Sequence, residues 1–351
     1  MTPRTYGRAR DLFARARRLP RDGRTAWLRG HCEDRGTLLA EVRALLAQDD
    51  GGGRSFLGAP AVNPTQRDEL PVNGYGVMRP LHTGATCALY LARQRHPVRR
   101  NVVIKTPKPD ADNPHRARAR LNAEVRALAA TDHPNVVTLL DAGATRDGRP
   151  FLAMRHVYGG VAITRFCDAH RWSLRRRLEM FLHACEAVRH VHERGVVHGG
   201  LCPDHLLVAL HGRMPHLTLV GFGSAMLTSE SFPDDRPDES EPSTYAPPER
   251  LARAGRGGAD PRGDVYSLGV ILRDLITPAP ATPRSARARL NALVCRATQE
   301  DPSRRHQTVD QLAEDVHACL ATHRPRATRI ALTAALIALL VVSAAVLRHL
   351  I

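Results

Sequence analysis

The chain has 351 residues and a formal net charge of +16, and 43% of its residues are hydrophobic. This length accommodates one domain of about 250 residues with extensions at its ends. The seven cysteines are odd in number and include no C-x-x-C pair, which argues against a disulfide framework or a zinc site and favours a reducing cytosol.

The positive charge comes almost entirely from arginine, because Lys105 and Lys108 are the only lysines among 51 basic residues. An excess of arginine raises the question of nucleic-acid binding. The arginines are dispersed, however, and no nucleic-acid-binding motif accompanies them. We therefore expect no nucleic-acid partner. A biased genome composition accounts for the arginines, and their positive charge is expected to attract the protein to an anionic membrane.

Residues 1–60 are predicted to form a helical extension followed by a linker. Apolar residues recur at helical spacing from Leu38 to Leu46, and residues 49–53 are rich in turn formers. Residues 1–24 contain no apolar core, so no signal peptide is predicted. Two roles stay open for the extension: packing on the rest of the chain or on itself, and docking of a partner.

From Tyr75 to Ala321 the chain carries a series of motifs in a fixed order. They are Val102–Lys105, Glu124 within a helical stretch, His133–Asn135, the hinge region Phe151–Tyr158, HGGLCPDH at 198–205, Gly221–Gly223, Tyr245–Glu249, Asp264–Gly269 and Arg305. The series resembles the bacterial membrane-anchored Ser/Thr protein kinases, whose corresponding motifs include V-A-I-K, H-R-D, D-F-G and A-P-E. Each motif alone is a weak signal, and their common order makes the resemblance specific.

The resemblance implies an α+β, bilobal, protein-kinase-like fold with an N-lobe at residues 75–157 and a C-lobe at residues 158–322. The residues that it assigns to nucleotide binding are Gly84, Val103, Lys105, Glu124, Met154 and Leu207. The residues that it assigns to structural roles are His198, Phe222, Glu249, Asp264 and Arg305. In this family the pair matching Lys105 and Glu124 orients the phosphates, and the same pair can equally serve to hold the N-lobe together.

The groups that carry out phosphoryl transfer in this family are missing. Gly200 stands at the position of the catalytic aspartate, and Cys202 at that of the lysine that neutralises the transferred phosphate. The two metal-binding positions are His205 and Gly221. No metal is expected there, because glycine offers no ligand atom and magnesium prefers oxygen. The glycine-rich loop retains Gly84 alone of three glycines.

Gly199 replaces the arginine that grips a phosphorylated activation loop in this family. The loop itself, residues 228–241, is acidic. Control by loop phosphorylation is therefore not expected.

These losses predict a pseudokinase: a kinase fold used as a signalling scaffold or allosteric regulator of a protein partner, such as an active kinase or its substrate. One alternative is an active Ser/Thr protein kinase with an altered mechanism, in which Asp204, His205, or the thiols of Cys87 and Cys202 act as substitutes. A second alternative is a non-hydrolysing ATP sensor. Any ATP binding is expected to be weak and independent of magnesium.

Residues 330–347 form an uncharged run that predicts a transmembrane helix. At ~1.5 Å per residue the run extends ~27 Å, close to the thickness of the hydrocarbon core of a bilayer. Arg324, Arg326 and Arg329 precede it, so the positive-inside rule predicts a single-pass protein of the cytoplasmic (inner) membrane with its kinase-like domain in the cytoplasm. A buried core helix is the alternative.

Overall fold

The computed structural model describes residues 72–84, 86–227, 243–252, 259–279 and 284–322, together with Trp27, Leu28 and Gly30. Trp27, Leu28 and Gly30 are helical, and Leu28 is buried. The remainder of the predicted extension at 1–60, the predicted transmembrane helix at 330–347 and the acidic loop lie outside the described residues. Within the described ranges, no helix is both long enough and apolar enough to cross a membrane.

The N-lobe is built on a five-stranded antiparallel sheet in the order β1-β2-β3-β5-β4. Its strands are β1 (Tyr75–Thr83), β2 (Cys87–Gln94), β3 (Arg100–Pro107), β4 (Leu139–Ala144) and β5 (Pro150–Arg155). Val102, Val103 and Ile104 are all buried, so this short apolar run forms a strand with both faces covered. Lys105 follows this run directly and is the one partly exposed residue between Val102 and Pro107.

One helix, α1 (Pro114–Ala129), packs against this sheet. Its start is encoded locally: the side chain of Asn113 accepts a hydrogen bond from the backbone N–H of Arg116, and Pro114 occupies the first helical turn. Leu121, Glu124 and Leu128 lie on its buried face. The spacing of three and four residues therefore carries Glu124 into the interior beside apolar neighbours.

The C-lobe is mainly helical. Its helices are α2 (Ile163–Ala169), α3 (Leu174–Glu193), α4 (Pro248–Ala252), α5 (Pro261–Ile276), α6 (Arg284–Ala297) and α7 (Val309–Thr322). Its strands are β6 (Val161–Ala162), β7 (Val196–Val197), β8 (Leu206–His211), β9 (Met214–Leu219) and β10 (Met226–Leu227). Asp260 caps α5 through the backbone N–H of Arg262, and most of α5 is buried between its neighbours.

The two lobes share one apolar core, which extends from Leu81 and Val103 to Leu312 and Val316. A polar connection supplements it, because the side-chain amide of Asn135 donates to the Leu217 carbonyl at 2.8 Å. The predicted bilobal α+β architecture is confirmed. The end of β9 meets the N-lobe, because the Leu219 N–H donates to the Asn135 carbonyl at 2.7 Å, and the start of β8 lies beside it through the pairing of Leu206 with Leu219. The candidate site lies at this junction.

Candidate active site

Lys105 and Glu124 form an ion pair between β3 and α1. The Nζ–Oε2 distance is 2.6 Å, with 15% of the lysine side chain exposed and 2% of the glutamate side chain. A Cβ atom on Gly223 would lie 2.8 Å from the Lys105 Nζ. The turn at 221–223 therefore approaches the pair so closely that a side chain at 223 would displace the lysine.

Asp264 anchors the start of the segment at 198–205, in which Gly200 and Cys202 replace the family's catalytic aspartate and lysine. Its carboxylate accepts hydrogen bonds from the backbone N–H groups of His198 and Gly199, both at 2.9 Å, and lies 2.8 Å from Nε2 of His192. The residue is fully buried. Burial opposes ionisation, but the hydrogen bonds and the neighbouring imidazoles hold the pKa of Asp264 below its usual value. The loop scaffold is thus intact although Gly200 stands at the position of the family's catalytic aspartate.

His198 is a buried, uncharged link between this segment and the turn at 221–223. Its Nε2 donates to the Val220 carbonyl at 3.0 Å, and its ring centroid lies 4.8 Å from that of Phe222. Burial, with a smaller effect from His205, lowers the pKa of His198 to about 4. At neutral pH the ring therefore acts as an apolar and hydrogen-bonding spacer.

His205 occupies the place where a side chain at position 221 would begin. A Cβ atom on Gly221 would lie within 2.6 Å of three atoms of the His205 ring, Cγ, Cδ2 and Nε2. The Nδ1 of this ring lies 2.6 Å from the Gly200 carbonyl. The substitutions at 205 and 221 are therefore coupled in space: the imidazole fills the volume that an aspartate at 221 would need.

This geometry does not suit magnesium. Gly221 contributes no ligand atom, and a single imidazole is a poor substitute for the carboxylate and amide oxygens that magnesium prefers. Within the part of the chain that the structure describes, no group of three or more His, Cys, Asp or Glu residues is placed to hold a metal ion.

Gly199 cannot be exchanged for the family's arginine in this backbone conformation. Its φ is +70°, and a Cβ atom would lie 2.6 Å from the Ser224 carbonyl oxygen and 3.9 Å from Nη1 of Arg250. Because the nearest obstacle is backbone, any side chain here would require the chain to move.

Two of the residues named as substitutes for the lost groups, Asp204 and Cys202, are engaged or buried. Asp204 forms an ion pair with Arg165 of α2. Cys202 has 5% of its surface exposed, so its thiol is largely withdrawn from solvent. Cys87, at the start of β2, is partly exposed. These placements weaken the case for an altered mechanism that uses Asp204 or Cys202.

The remaining residues predicted for nucleotide binding fall into two places. Gly84 closes the turn between β1 and β2, where its N–H donates to the Cys87 carbonyl at 2.9 Å. Val103 and Met154 pair across β3 and β5, and both belong to the same apolar cluster as Leu207 of β8. Val103 and Lys105 are two residues apart on β3 and therefore share one face of the strand, which places Val103 beside the lysine.

Glu249 and Arg305 form a two-point ion pair in the C-lobe, at 2.7 and 2.6 Å. Arg305 is 1% exposed, and its guanidinium also lies 5.0 Å from the centre of the Tyr266 ring. A bidentate, buried arginine pair of this kind is among the stronger polar contacts of a protein. It fixes the start of α4 to the segment after α6.

Two residues that contribute to the structure of the site were not predicted from the sequence. His192, near the end of α3, is a direct partner of Asp264, and Gly223 makes room for Lys105. Spacing could have indicated Gly223 through its place in the turn. No sequence signal distinguishes His192 from the neighbouring histidines of α3.

Residues 75–337 match the family model described as a protein kinase domain. Among curated proteins, the chain is 24% identical over 247 residues to a probable serine/threonine-protein kinase of Streptomyces coelicolor, covering 63% of this chain and 36% of that protein. It is 27% identical over 230 residues to the serine/threonine-protein kinase Pkn1 of Myxococcus xanthus, covering 58% of this chain and 32% of that one. The chain therefore spans about a third of the length of these relatives.

Among solved structures, the chain is similar to the kinase domain of Mycobacterium tuberculosis PknI. The TM-score is 0.54 at 23% sequence identity, and the match covers 71% of this chain and 98% of that domain. At this identity the likeness supports the fold alone.

Proposed function

The chain belongs to the protein kinase family, and from the state of its cleft we propose that it is a pseudokinase, a member that regulates or scaffolds a protein partner without transferring phosphate. One observation carries the proposal: the His205 ring lies over Gly221, in the volume where the family places a metal-binding aspartate. The packing of the cleft therefore leaves no space for an aspartate side chain at position 221.

The missing groups account for most of the chemistry of phosphoryl transfer. The reaction depends on positioning and on charge neutralisation by metal ions and cationic side chains, with a carboxylate to accept the hydroxyl proton. General-base catalysis typically contributes about 10²–10⁴-fold in rate, and one electrostatic donor about 10²–10³-fold. Gly200, Cys202, His205 and Gly221 together remove the base, one cation and both metal ligands.

The scaffold around these gaps supports a binding role. Asp264 holds the loop at 198–200, the Lys105–Glu124 pair joins β3 to α1, and Arg305 secures Glu249. A cleft that has lost catalysis but keeps these contacts retains a defined surface between its lobes. We propose that a protein partner, such as an active kinase or its substrate, binds to that surface.

A second candidate function, a non-hydrolysing ATP sensor, is favoured by one observation. Lys105 and Glu124 remain paired at 2.6 Å, and Val103 and Met154, which pair across β3 and β5, belong to the same apolar core as Leu207. In this family that arrangement orients the α- and β-phosphates. We propose that ATP binds weakly in this cleft without magnesium, which is compatible with the scaffold role.

The full chain, purified in detergent, is expected to show no phosphoryl transfer. It should be incubated with γ-labelled ATP and magnesium or manganese, both alone and with generic protein substrates. The signal should not exceed that of the matched Lys105→Ala variant, because both lack a catalytic base and metal ligands. An active bacterial serine/threonine kinase under the same conditions verifies the assay.

Transfer that disappears in the Lys105→Ala variant would overturn the pseudokinase proposal. The Cys202→Ala variant then separates the remaining mechanisms. Transfer that survives this substitution indicates an altered kinase mechanism without the thiol, and transfer that is lost indicates a role for the thiol.

We further propose that residues 330–347 anchor the chain in the cytoplasmic membrane with the kinase domain inside. The full chain should stay with membranes after a high-salt wash and be released by detergent. The double substitution Leu336→Arg with Leu340→Arg should move it to the soluble fraction, because each central arginine costs about 2.5–3.5 kcal/mol of insertion free energy. The matched double substitution to isoleucine should leave it in the membrane. An arginine variant that stays in the membrane fraction contradicts the anchor.

A further inference from the structure

We propose that a groove between α3 and α7 of the C-lobe binds residues 6–19 of the same chain, an arginine-rich segment with one apolar face. The inference goes beyond the proposed function, because it concerns an interaction surface on the C-lobe helices and not the cleft between the lobes. It rests on the shape and charge of the groove and on the residue pattern of the segment.

The groove has a volume of about 530 Å³ and an apolar floor. Leu182 and Cys185 line it from α3, and Val309 and Ala313 line it from α7. Cys185 and Val309 are buried, whereas Leu182 and Ala313 are partly exposed. The spacing of three or four residues within each pair places its members on one face of their helix. Such a floor suits the apolar face of an amphipathic helix.

The charged residues of the groove are mainly acidic. Among the described residues that line it there are four carboxylates, Glu179, Glu186, Asp310 and Glu314, and one arginine, Arg189. With the histidines neutral, this lining carries an excess of three negative charges, whereas the whole chain has a formal net charge of +16. Charge complementarity therefore favours a basic ligand for this groove.

The ion pairs that these carboxylates already make are exposed. Glu179 pairs with Arg175 at 2.9 Å, and Asp310 lies 3.6 Å from Nε of Arg189. The side chains of Glu179 and Asp310 are 46% and 57% exposed. Because exposed pairs contribute little to stability, these carboxylates can turn to the arginines of a bound segment at small cost.

Residues 6–19 carry the complementary pattern. Apolar residues recur three and four positions apart, at Leu12, Phe13, Ala16 and Leu19, so a helix would place them on one face. At about 100° per residue, Arg15 and Arg17 then lie on opposite flanks of that face. The segment contains five arginines and one acidic residue. Pro20 follows directly, and proline is disfavoured in a helix interior, so the helix would end at Leu19.

The chain is long enough to bring the segment to the groove. Residues 20–71 separate it from Val72, where the described N-lobe range begins. Even as a continuous helix, that stretch would span ~78 Å. A folded domain of about 250 residues has a radius of gyration of about 18 Å. The segment can therefore reach the C-lobe of its own chain, where the tether raises its effective concentration.

The test uses the full chain in detergent and a carbodiimide, which joins a carboxylate to an amine. Lys105 and Lys108 are the only lysines, so amines introduced by Arg15→Lys and Arg17→Lys are readily followed by mass spectrometry. We expect these amines to be joined to the groove carboxylates. In a mixture of isotopically light and heavy chains, the cross-links should form within one copy.

Reversal of charge in the groove should weaken binding. In Glu186→Arg with Glu314→Arg, the cross-links to the two remaining carboxylates should fall roughly five- to twentyfold, because each exposed ion pair shifts an equilibrium by up to about fivefold. The matched control is Asp112→Arg with Glu300→Arg, which makes the same charge change at exposed positions outside the groove lining and should leave the yield unchanged. Thermal midpoints establish that each variant is folded, and the corresponding glutamine substitutions serve if the arginine variant is not.

The apolar face of the segment has its own matched pair of variants. Phe13→Ala should lower the yield of groove cross-links by about tenfold, because a buried phenylalanine side chain contributes strongly to binding. Ala14→Ser, on the opposite face of the predicted helix, should leave it unchanged. Equal yields in these two variants would overturn the docking of the apolar face.

Three further results would overturn the inference: cross-links that avoid the groove, equal yields in the groove and control reversals, and cross-links that join light to heavy chains, which would indicate a second copy as the ligand. A basic amphipathic segment also suits an anionic membrane. Groove cross-links that form in phosphatidylcholine vesicles but disappear when phosphatidylserine is included would assign the segment to the membrane and overturn the inference. Cross-links that persist in both support it. None of these results affects the proposed absence of catalysis, which fails only if phosphoryl transfer is found.

Discussion

Replacement of Asp264 by alanine is expected to lower the free energy of unfolding by about 3–5 kcal/mol, the range typical of breaking a buried charged network by removing one partner. The carboxylate is fully buried and accepts hydrogen bonds from the backbone of His198 and Gly199. Alanine leaves both N–H groups without this acceptor, and each buried unsatisfied group costs about 1–3 kcal/mol. Urea unfolding of the full chain in detergent, followed by tryptophan fluorescence, measures the loss.

Asp274 provides a matched control on the same helix. Its carboxylate accepts a hydrogen bond from the Tyr245 hydroxyl at 2.7 Å, and 28% of its side chain is exposed. Asp274→Ala should therefore cost about 1 kcal/mol, as for an ordinary hydrogen bond. Equal losses in the two variants would mean that Asp264 does not organise the loop.

The same carboxylate should make stability depend on pH. The folded pKa of Asp264 lies below the value of about 3.9 for an unfolded chain. Its contribution is therefore present above about pH 4 and is lost as the pH falls through the folded pKa. The alanine variant should lose less stability than wild type over this acid range.

The bilobal fold could be predicted because each motif performs a separate structural task at a fixed place in the chain. Lys105 with Glu124 and Glu249 with Arg305 are pairs whose partners the family pattern names in advance. The structure brings each pair together. Long-range contacts of this kind follow from motif order once the family resemblance is known. Asp264 is predicted only to have a structural role, and its contact with the loop at 198–199 is visible in the structure alone.

The structure around the replaced catalytic and metal-binding residues could be predicted only in part from the sequence. The absence of ligand atoms at 205 and 221 is visible in the sequence, but the filling of one position by the side chain of the other depends on backbone geometry. The pairing of Asp204 with Arg165, 39 residues earlier, also has no local signal. Residue spacing along the chain does not show which side chain fills the space left by a smaller residue, or which distant residue pairs with a charged one.

The substitution Gly221→Asp is expected to lower the free energy of unfolding by about 2–4 kcal/mol. The new Cβ atom would overlap the His205 ring, and overpacking in a filled interior typically costs about 1–3 kcal/mol. The φ of +84° adds a backbone penalty of about 1 kcal/mol. Gly212→Asp is the matched control, because Gly212 has a φ of +67° with nothing within 4 Å of an added Cβ.

A double-mutant cycle can separate the cost of overlap with the His205 ring from the cost of the backbone conformation at position 221. Asparagine at 205 is smaller than histidine, so His205→Asn should relieve the overlap and recover about 1–3 kcal/mol of the loss in Gly221→Asp, as is typical of residues in direct contact. The same substitution should not change the cost of Gly212→Asp. With oxygen ligands at both positions, the double variant should also show an ATP-induced thermal shift that magnesium increases, whereas wild type should not. If Gly221→Asp costs no more than Gly212→Asp, the imidazole does not occupy the metal position, and the coupling of the two substitutions is refuted.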